Sequence, residues 1–135
     1  MEGEMSDDLK ERVRWANEEI INKGNLKVVR EVFAEDYVLH AVGEDFRGYK
    51  FIEGLITELT GAFPDLRVEV EPLVANADTI TWLRTNWGTH KGNFMGVAPS
   101  GRNLTWRDMV VTRFAGGKVA EEWVVSDFSA RPPSS

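Results

Sequence analysis

Few residues of this chain have the type and setting to do chemistry, and two carboxylates come first. In the stretch Gly101–Phe128, Leu104, Trp106, Val110, Thr112 and Phe114 alternate with Thr105, Arg107, Met109 and Arg113. A period of two marks a strand with one buried face, and Asp108 falls on the more apolar face. A carboxylate there loses hydration, so it finds a donor or holds a proton at raised pKa. Glu122 follows in the segment after the turn Ala115-Gly116-Gly117-Lys118. Carboxylates in a water-poor cavity serve as general acid or base and favour a developing enolate with few other polar groups.

Which side chains face the two carboxylates depends on that turn. A three-residue loop, Ala115 to Gly117, pairs Phe114 with Lys118, sets Val110 opposite Glu122 and Asp108 opposite Val124, and leaves Asp108 and Glu122 diagonal on one face with coupled titrations. A two-residue loop at Gly116-Gly117 moves every side chain of the second strand to the other face, so that Trp123 and Val125 join Asp108. The local apolar pattern favours the second register, and the choice stays open on these residues alone.

Other candidates are sparser. His40 and His90 are the two histidines; His40 lies in the short strand Tyr37-Val38-Leu39-His40-Ala41, and His90 ends another strand, where a structural role is expected. Asn17 sits in an apolar helical stripe one turn beyond Val13, with its amide directed inward. No phosphate-cradling glycine motif, Gly-x-Ser-x-Gly setting or metal-ligand cluster is present, so no cofactor and no metal are expected.

The elements that must position these groups follow from periodicity. Ser6-Asp7-Asp8 offers caps for a helix through Leu9, Val13, Ala16, Ile20 and Ile21 to Lys23-Gly24. Asn25 opens a shorter helix through Val28, Val29, Val32 and Phe33; Gly43 to Gly48 reads as a loop; Phe51, Ile52, Leu55, Ile56, Leu59 and Phe63 give a third helix, stopped by Pro64. Strands follow at Leu66–Val70 and Thr79–His90, the loop Lys91–Ser100 precedes the hairpin, and the tail from Ser129 is expected to be loosely attached. Helices first and long strands afterwards predict an α+β fold, an antiparallel meander whose curved sheet and covering helices enclose a pocket.

The totals bound the rest. At 135 residues the chain is one domain, with its packed part running from about residue 8 to about 128. Its net charge of −6 argues against nucleic acid or an anionic membrane as partner. No cysteine is present, which excludes thiolate chemistry and fits a reducing cytosol; no signal peptide or membrane-spanning stretch is read, so a cytoplasmic location is expected.

The strings GTHKGNFMGVAPSGR, NKGNLKVVREVFAEDYVLHA, AFPDLRVEVE and GGKVAEEWVVSDF resemble the SnoaL-like polyketide cyclases of the nuclear transport factor 2-like superfamily, in order over nearly the whole chain. The resemblance implies a cone-shaped α+β fold whose curved antiparallel sheet wraps a deep apolar pocket, with the first and third helices as lid and usually a homodimer packed sheet to sheet. Cyclases of this family close a ring by intramolecular aldol condensation without cofactor or metal. Their aspartate on the last strand, and the histidine two residues before it, fall here on Val124 and Glu122, and a histidine on the preceding strand falls on Val110. The resemblance therefore favours the register that turns positions 108, 110, 122 and 124 inward, with the carboxylates relocated. Asp108, Glu122 and His40 become the expected catalytic groups, and Asn17, Trp106, Val110, Val124, Leu55 and Leu59 the expected contacts to a small apolar substrate. Two functions remain: a cofactor-independent cyclase, isomerase or hydrolase, and a non-catalytic module that binds a small ligand in the pocket or a partner on the sheet around Trp82 or Trp123.

Overall fold

The computed structural model describes residues 2–129, with side chains of the first helix from Asp7 onward. Helix α1, Glu2–Asn17, buries Leu9 and Val13. It starts ahead of the expected caps, so Asp8 lies within it and accepts a hydrogen bond from Arg12 Nε at 2.9 Å, one turn on. At Asn17 the helix widens into a π-helical turn, Glu18–Asn22, which lets the consecutive residues Ile20 and Ile21 both reach the core. Asn22 then pairs with the edge of the sheet: Nδ2 donates to Val68 O at 3.1 Å, and Val68 N–H donates to Oδ1 at 2.8 Å.

The expected second helix is shorter and composite. Asn25 Oδ1 accepts from Lys27 N–H, a 3-10 turn covers Leu26–Val28, and α2 is only Val29–Val32. Phe33 is already extended and opens β1, Phe33–Ala41. The segment read as a loop holds a short strand, β2, Glu44–Arg47, folded back on β1 through Val42 and Gly43, both at positive φ. Helix α3, Gly48–Ala62, ends just before Pro64.

Four long strands complete the chain: β3 Arg67–Asn76, β4 Thr79–Thr89, β5 Asn103–Ala115 and β6 Lys118–Ser126. Their order, β2-β1-β6-β5-β4-β3, makes one curved, unclosed six-stranded sheet. The expected antiparallel sheet is corrected to a mixed one. The meander β3 to β6 is antiparallel, but β6 returns beside β1 and runs parallel to it, with Leu39 level with Glu122 and Ala41 with Val124.

The hairpin combines features of both readings of its turn. Gly116 and Gly117, at φ +59° and +80°, form a two-residue loop that pairs Ala115 with Lys118 and Phe114 with Val119. Ala120 is then skipped as a bulge, and pairing resumes one residue out of step, Arg113 with Glu121 and Thr112 with Glu122. Positions 122 and 124 turn inward as the family resemblance implied, but their partners are shifted two places. Val110 faces Val124, and Asp108 faces Ser126. The expected diagonal contact of Asp108 with Glu122 is thereby overturned, since Asp108 and Thr112 are four residues, about 13 Å, apart along β5.

The core lies between helices and sheet and ends in an aromatic nucleus of Phe63, His90, Trp106 and Phe128. His90, expected to be structural, is fully buried, stacks on Phe63 at 5.2 Å and accepts at Nδ1 from Ser100 N–H. The tail residues 130–135 lie outside the described residues. Among the described residues no helix is long and apolar enough to cross a membrane.

Gly88 lets β4 touch this nucleus: a Cβ there would sit 3.0 Å from both Cβ and Cδ1 of Phe63, which is itself fully buried. Gly88→Ala should therefore destabilise the fold by about 1–3 kcal/mol through overpacking, read as a lower urea midpoint at unchanged slope.

Candidate functional site

A cavity of about 250 Å³ opens beneath α1. Its mouth lies among Arg12, Trp15, Glu31 and Gly117, and its walls are Val13, Ile20, Ile21, Val32, Phe33, Ile56, Phe114 and Val119. Arg12 ties the two sides of the mouth together, donating from Nη1 to Gly117 O at 2.7 Å. The floor carries the polar groups: Asn17, Trp82, Arg84, Thr112 and Glu122.

Glu122 is the carboxylate on that floor. Tyr37 O–H donates to Oε1 at 2.7 Å, Thr112 O–H donates to Oε2 at 2.5 Å, and Trp82 Nε1–H donates to the Thr112 oxygen at 2.9 Å. Burial pushes the Glu122 carboxyl above the ordinary carboxylate range; the bonds from Thr112 and Tyr37 and the charge of Arg84 oppose this without cancelling it. Burial, then the neighbouring Glu122 charge, raises the Tyr37 phenol well above its ordinary value, so Tyr37 stays a donor. The arrangement is a proton-accepting oxygen pair held in place at the end of an apolar space.

Asp108 is inward and 5% exposed, yet it lies outside the cavity lining. Its Oδ2 accepts from Arg84 Nε at 2.8 Å and from Asn86 Nδ2 at 3.1 Å. Arg84 in turn donates from Nη1 to Asn17 Oδ1 at 3.2 Å and lies over the Trp82 ring, 5.3 Å from its centre. Asn17 completes its amide by donating from Nδ2 to Val13 O at 2.9 Å.

Of the residues expected to form the site, the structure brings Asn17 and Glu122 together on the cavity. His40 is on the opposite face of the sheet, because Tyr37 and Leu39 take the buried phase of β1. Its ring stacks on Trp123 at 5.2 Å and bridges Glu121 at 2.6 Å and Asp45 at 2.7 Å, contacts that raise its pKa, Glu121 first. Trp106 belongs to the aromatic nucleus, Val110 and Val124 pair with each other, and Leu55 and Leu59 pack on the core while Ile56 reaches the cavity. The groups not anticipated are Arg84, Thr112, Tyr37 and Trp15. A signal existed for Arg84: it shares the period-two face of Ile80, Trp82 and Asn86 on β4. Among the described residues no cluster of three or more His, Cys, Asp and Glu is placed to hold a metal ion.

Solved structures with this architecture share its overall shape. AclR from Streptomyces galilaeus, a proposed hydroxylase, is 28% identical with a TM-score of 0.72, over 91% of this chain and 89% of its own. IdmH from Streptomyces antibioticus, a proposed polyketide cyclase, is 27% identical with a TM-score of 0.72, over 90% and 91%. A proposed SnoaL-like polyketide cyclase from Jannaschia sp. CCS1 is 25% identical with a TM-score of 0.78, over 90% and 92%. No curated protein matches the chain in sequence at a significant level. The profile of the SnoaL-like polyketide cyclase family matches residues 11–131, and the chain therefore belongs to that family.

Proposed function

We propose that this protein is a cofactor-independent acid-base enzyme acting on a small, mostly apolar molecule, with Glu122 as the proton-transferring group. The observation that carries the reading is Glu122 itself: a carboxylate of raised pKa at the end of an apolar cavity, oriented by Tyr37 and Thr112. A carboxylate whose pKa is raised is a stronger base once ionised, as removal of a proton from carbon requires. Tyr37 and Thr112 orient the carboxylate, and the apolar walls exclude water. Asp108 and His40 have no part in the proton transfer on this reading, because one is bonded to Arg84 and Asn86 and the other lies across the sheet.

A second reading has its own support. The family's aspartate position holds Val124, and Asp108 is tied through Oδ2 to Arg84 and Asn86, as a pocket that binds without converting its ligand would have it. Proton exchange separates the two. In heavy water the protein should accelerate deuterium exchange at the α-carbon of α-tetralone, and Glu122→Gln should lower the rate by about a hundredfold or more. The rate should rise as Glu122 ionises, with its midpoint above the ordinary carboxylate value. A wild-type rate equal to that of the variant overturns the enzyme reading and leaves the binding module.

The raised pKa also couples to stability. Between its unfolded and folded values Glu122 holds more proton in the native state, so stability falls as pH rises through that window. Wild type should lose melting temperature relative to Glu122→Gln from acid to neutral pH, and parallel curves would contradict the assignment.

The outer face of the sheet fits a second copy of the chain. Met109, Trp123 and Val125 are exposed there, with Met109 directly opposite Val125 and Val111 opposite Trp123. Arg107 and Glu69 flank Thr85 on the same face and supply both signs of charge for self-association. Sedimentation should give twice the 15.2 kDa chain mass, and Trp123→Lys should shift it to the monomer. A cytoplasmic location belongs to the same reading, on the cysteine-free composition.

A further inference from the structure

Arg84 is the cation of the cavity floor, and its setting is unusually complete on one side and open on the other. Asp108 holds Nε at 2.8 Å, Asn17 holds Nη1 at 3.2 Å, and the Trp82 ring supports the guanidinium at 5.3 Å. Its remaining nitrogen, Nη2, makes no hydrogen bond with the described residues, although Arg84 lines the cavity and its side chain is 21% exposed. Asp108 balances the charge of Arg84, and the other charged group on the floor is Glu122. Those at the mouth are Arg12, which is bonded to Asp8 and Gly117, and Glu31. The floor therefore offers a strong directional donor without a surplus of positive charge.

We propose that Arg84 anchors the substrate, its Nη2 edge holding an uncharged carbonyl oxygen of an otherwise apolar molecule, with Asp108 and Asn17 as positioning residues that fix the guanidinium and cancel its charge. This rests on the reading of the cavity as the site of proton transfer. When Glu122 takes a proton from the carbon next to that carbonyl, the C–H electron pair ends on the oxygen at Nη2. The total charge of the floor is unchanged by the transfer. A ligand that arrives as a permanent anion instead adds a charge beside Glu122 that nothing on the floor offsets.

Calorimetric titration with three two-ring probes tests this on the full chain: tetralin has no oxygen, α-tetralone has a neutral acceptor, and α-naphthoate carries a charge. Wild type should bind α-tetralone about tenfold more tightly than tetralin, the effect of one hydrogen bond from a charged donor, and α-naphthoate no more tightly than tetralin. Arg84→Met should erase the advantage of α-tetralone; Arg84→Lys, which keeps the charge but not the planar fork, should reduce it at least about threefold and serves if Arg84→Met does not fold. Asp108→Asn leaves the guanidinium uncompensated and should tighten α-naphthoate by about tenfold, a change of charge preference that loss of structure does not produce. Wild type preferring α-naphthoate to α-tetralone, or a folded Arg84 variant keeping the full advantage, overturns the proposal. Glu122→Gln should keep the preference for α-tetralone over tetralin. Loss of deuterium exchange with that preference intact therefore reports on Glu122, and absence of the preference in wild type reports on Arg84.

Discussion

One extra residue in β6 organises the site. Without the bulge at Ala120, the tight Gly116-Gly117 turn would send Glu122 and Val124 to the outer face and bring Glu121 and Trp123 into the core. Skipping Ala120 reverses the phase after two pairs, so the turn keeps its favoured two-residue geometry while the carboxylate reaches the cavity. The pairing of β6 with β1 is also interrupted at this point, but there the extra residues are in β1, which runs from Phe33 to Val38 while β6 runs only from Val119 to Glu121. Glu122 comes to lie level with Leu39 and opposite Thr112, and Tyr37 and Thr112 both reach it.

The two inward carboxylates then diverge by environment. Asp108 meets a guanidinium and an amide, and becomes half of a buried ion pair whose single-sided removal costs about 3–5 kcal/mol in comparable cases. Glu122 meets two hydroxyls and an apolar space; hydroxyls solvate a charge less completely than a cation does, so burial prevails and its proton is held more tightly. One carboxylate holds Arg84 in place, and the other faces the cavity with its pKa raised. Valine at position 124 is consistent with this division. Of the positions the family resemblance pointed to, 122 lies on the polar floor opposite Thr112, whereas 110 and 124 pair with each other and carry valines.

Periodicity along single strands and helices carried most of the fold. Leu9, Val13, Ile20 and Ile21 form one apolar stripe, Asp108 stands in phase with Trp106 and Val110, and Pro64 stops a helix, all from spacings of two or about four residues. The same spacing, applied to β4 and β1, would have placed Arg84 beside Trp82 and set His40 apart from Tyr37 and Leu39. The motif strings supplied the family and with it the inward phase of 122 and 124. Short elements escaped: β2 has four residues and little apolar content, and it exists because β1 offers it an edge.

The sequence by itself determined the α+β class, the family and a pair of inward carboxylates, Asp108 and Glu122, without deciding which of the two reaches the cavity floor. Only the tertiary structure decided what each polar group faces. The partners of Asp108 are on β4, those of Glu122 on β1 and β5, and the cavity is closed by α1, contacts between segments separated by up to 105 residues. Side-chain phase is a local property of the chain, fixed by backbone geometry every two residues. Register between strands, the position of a bulge and the choice of a parallel neighbour are settled by competition among long-range pairings, and no local spacing encodes which of them wins.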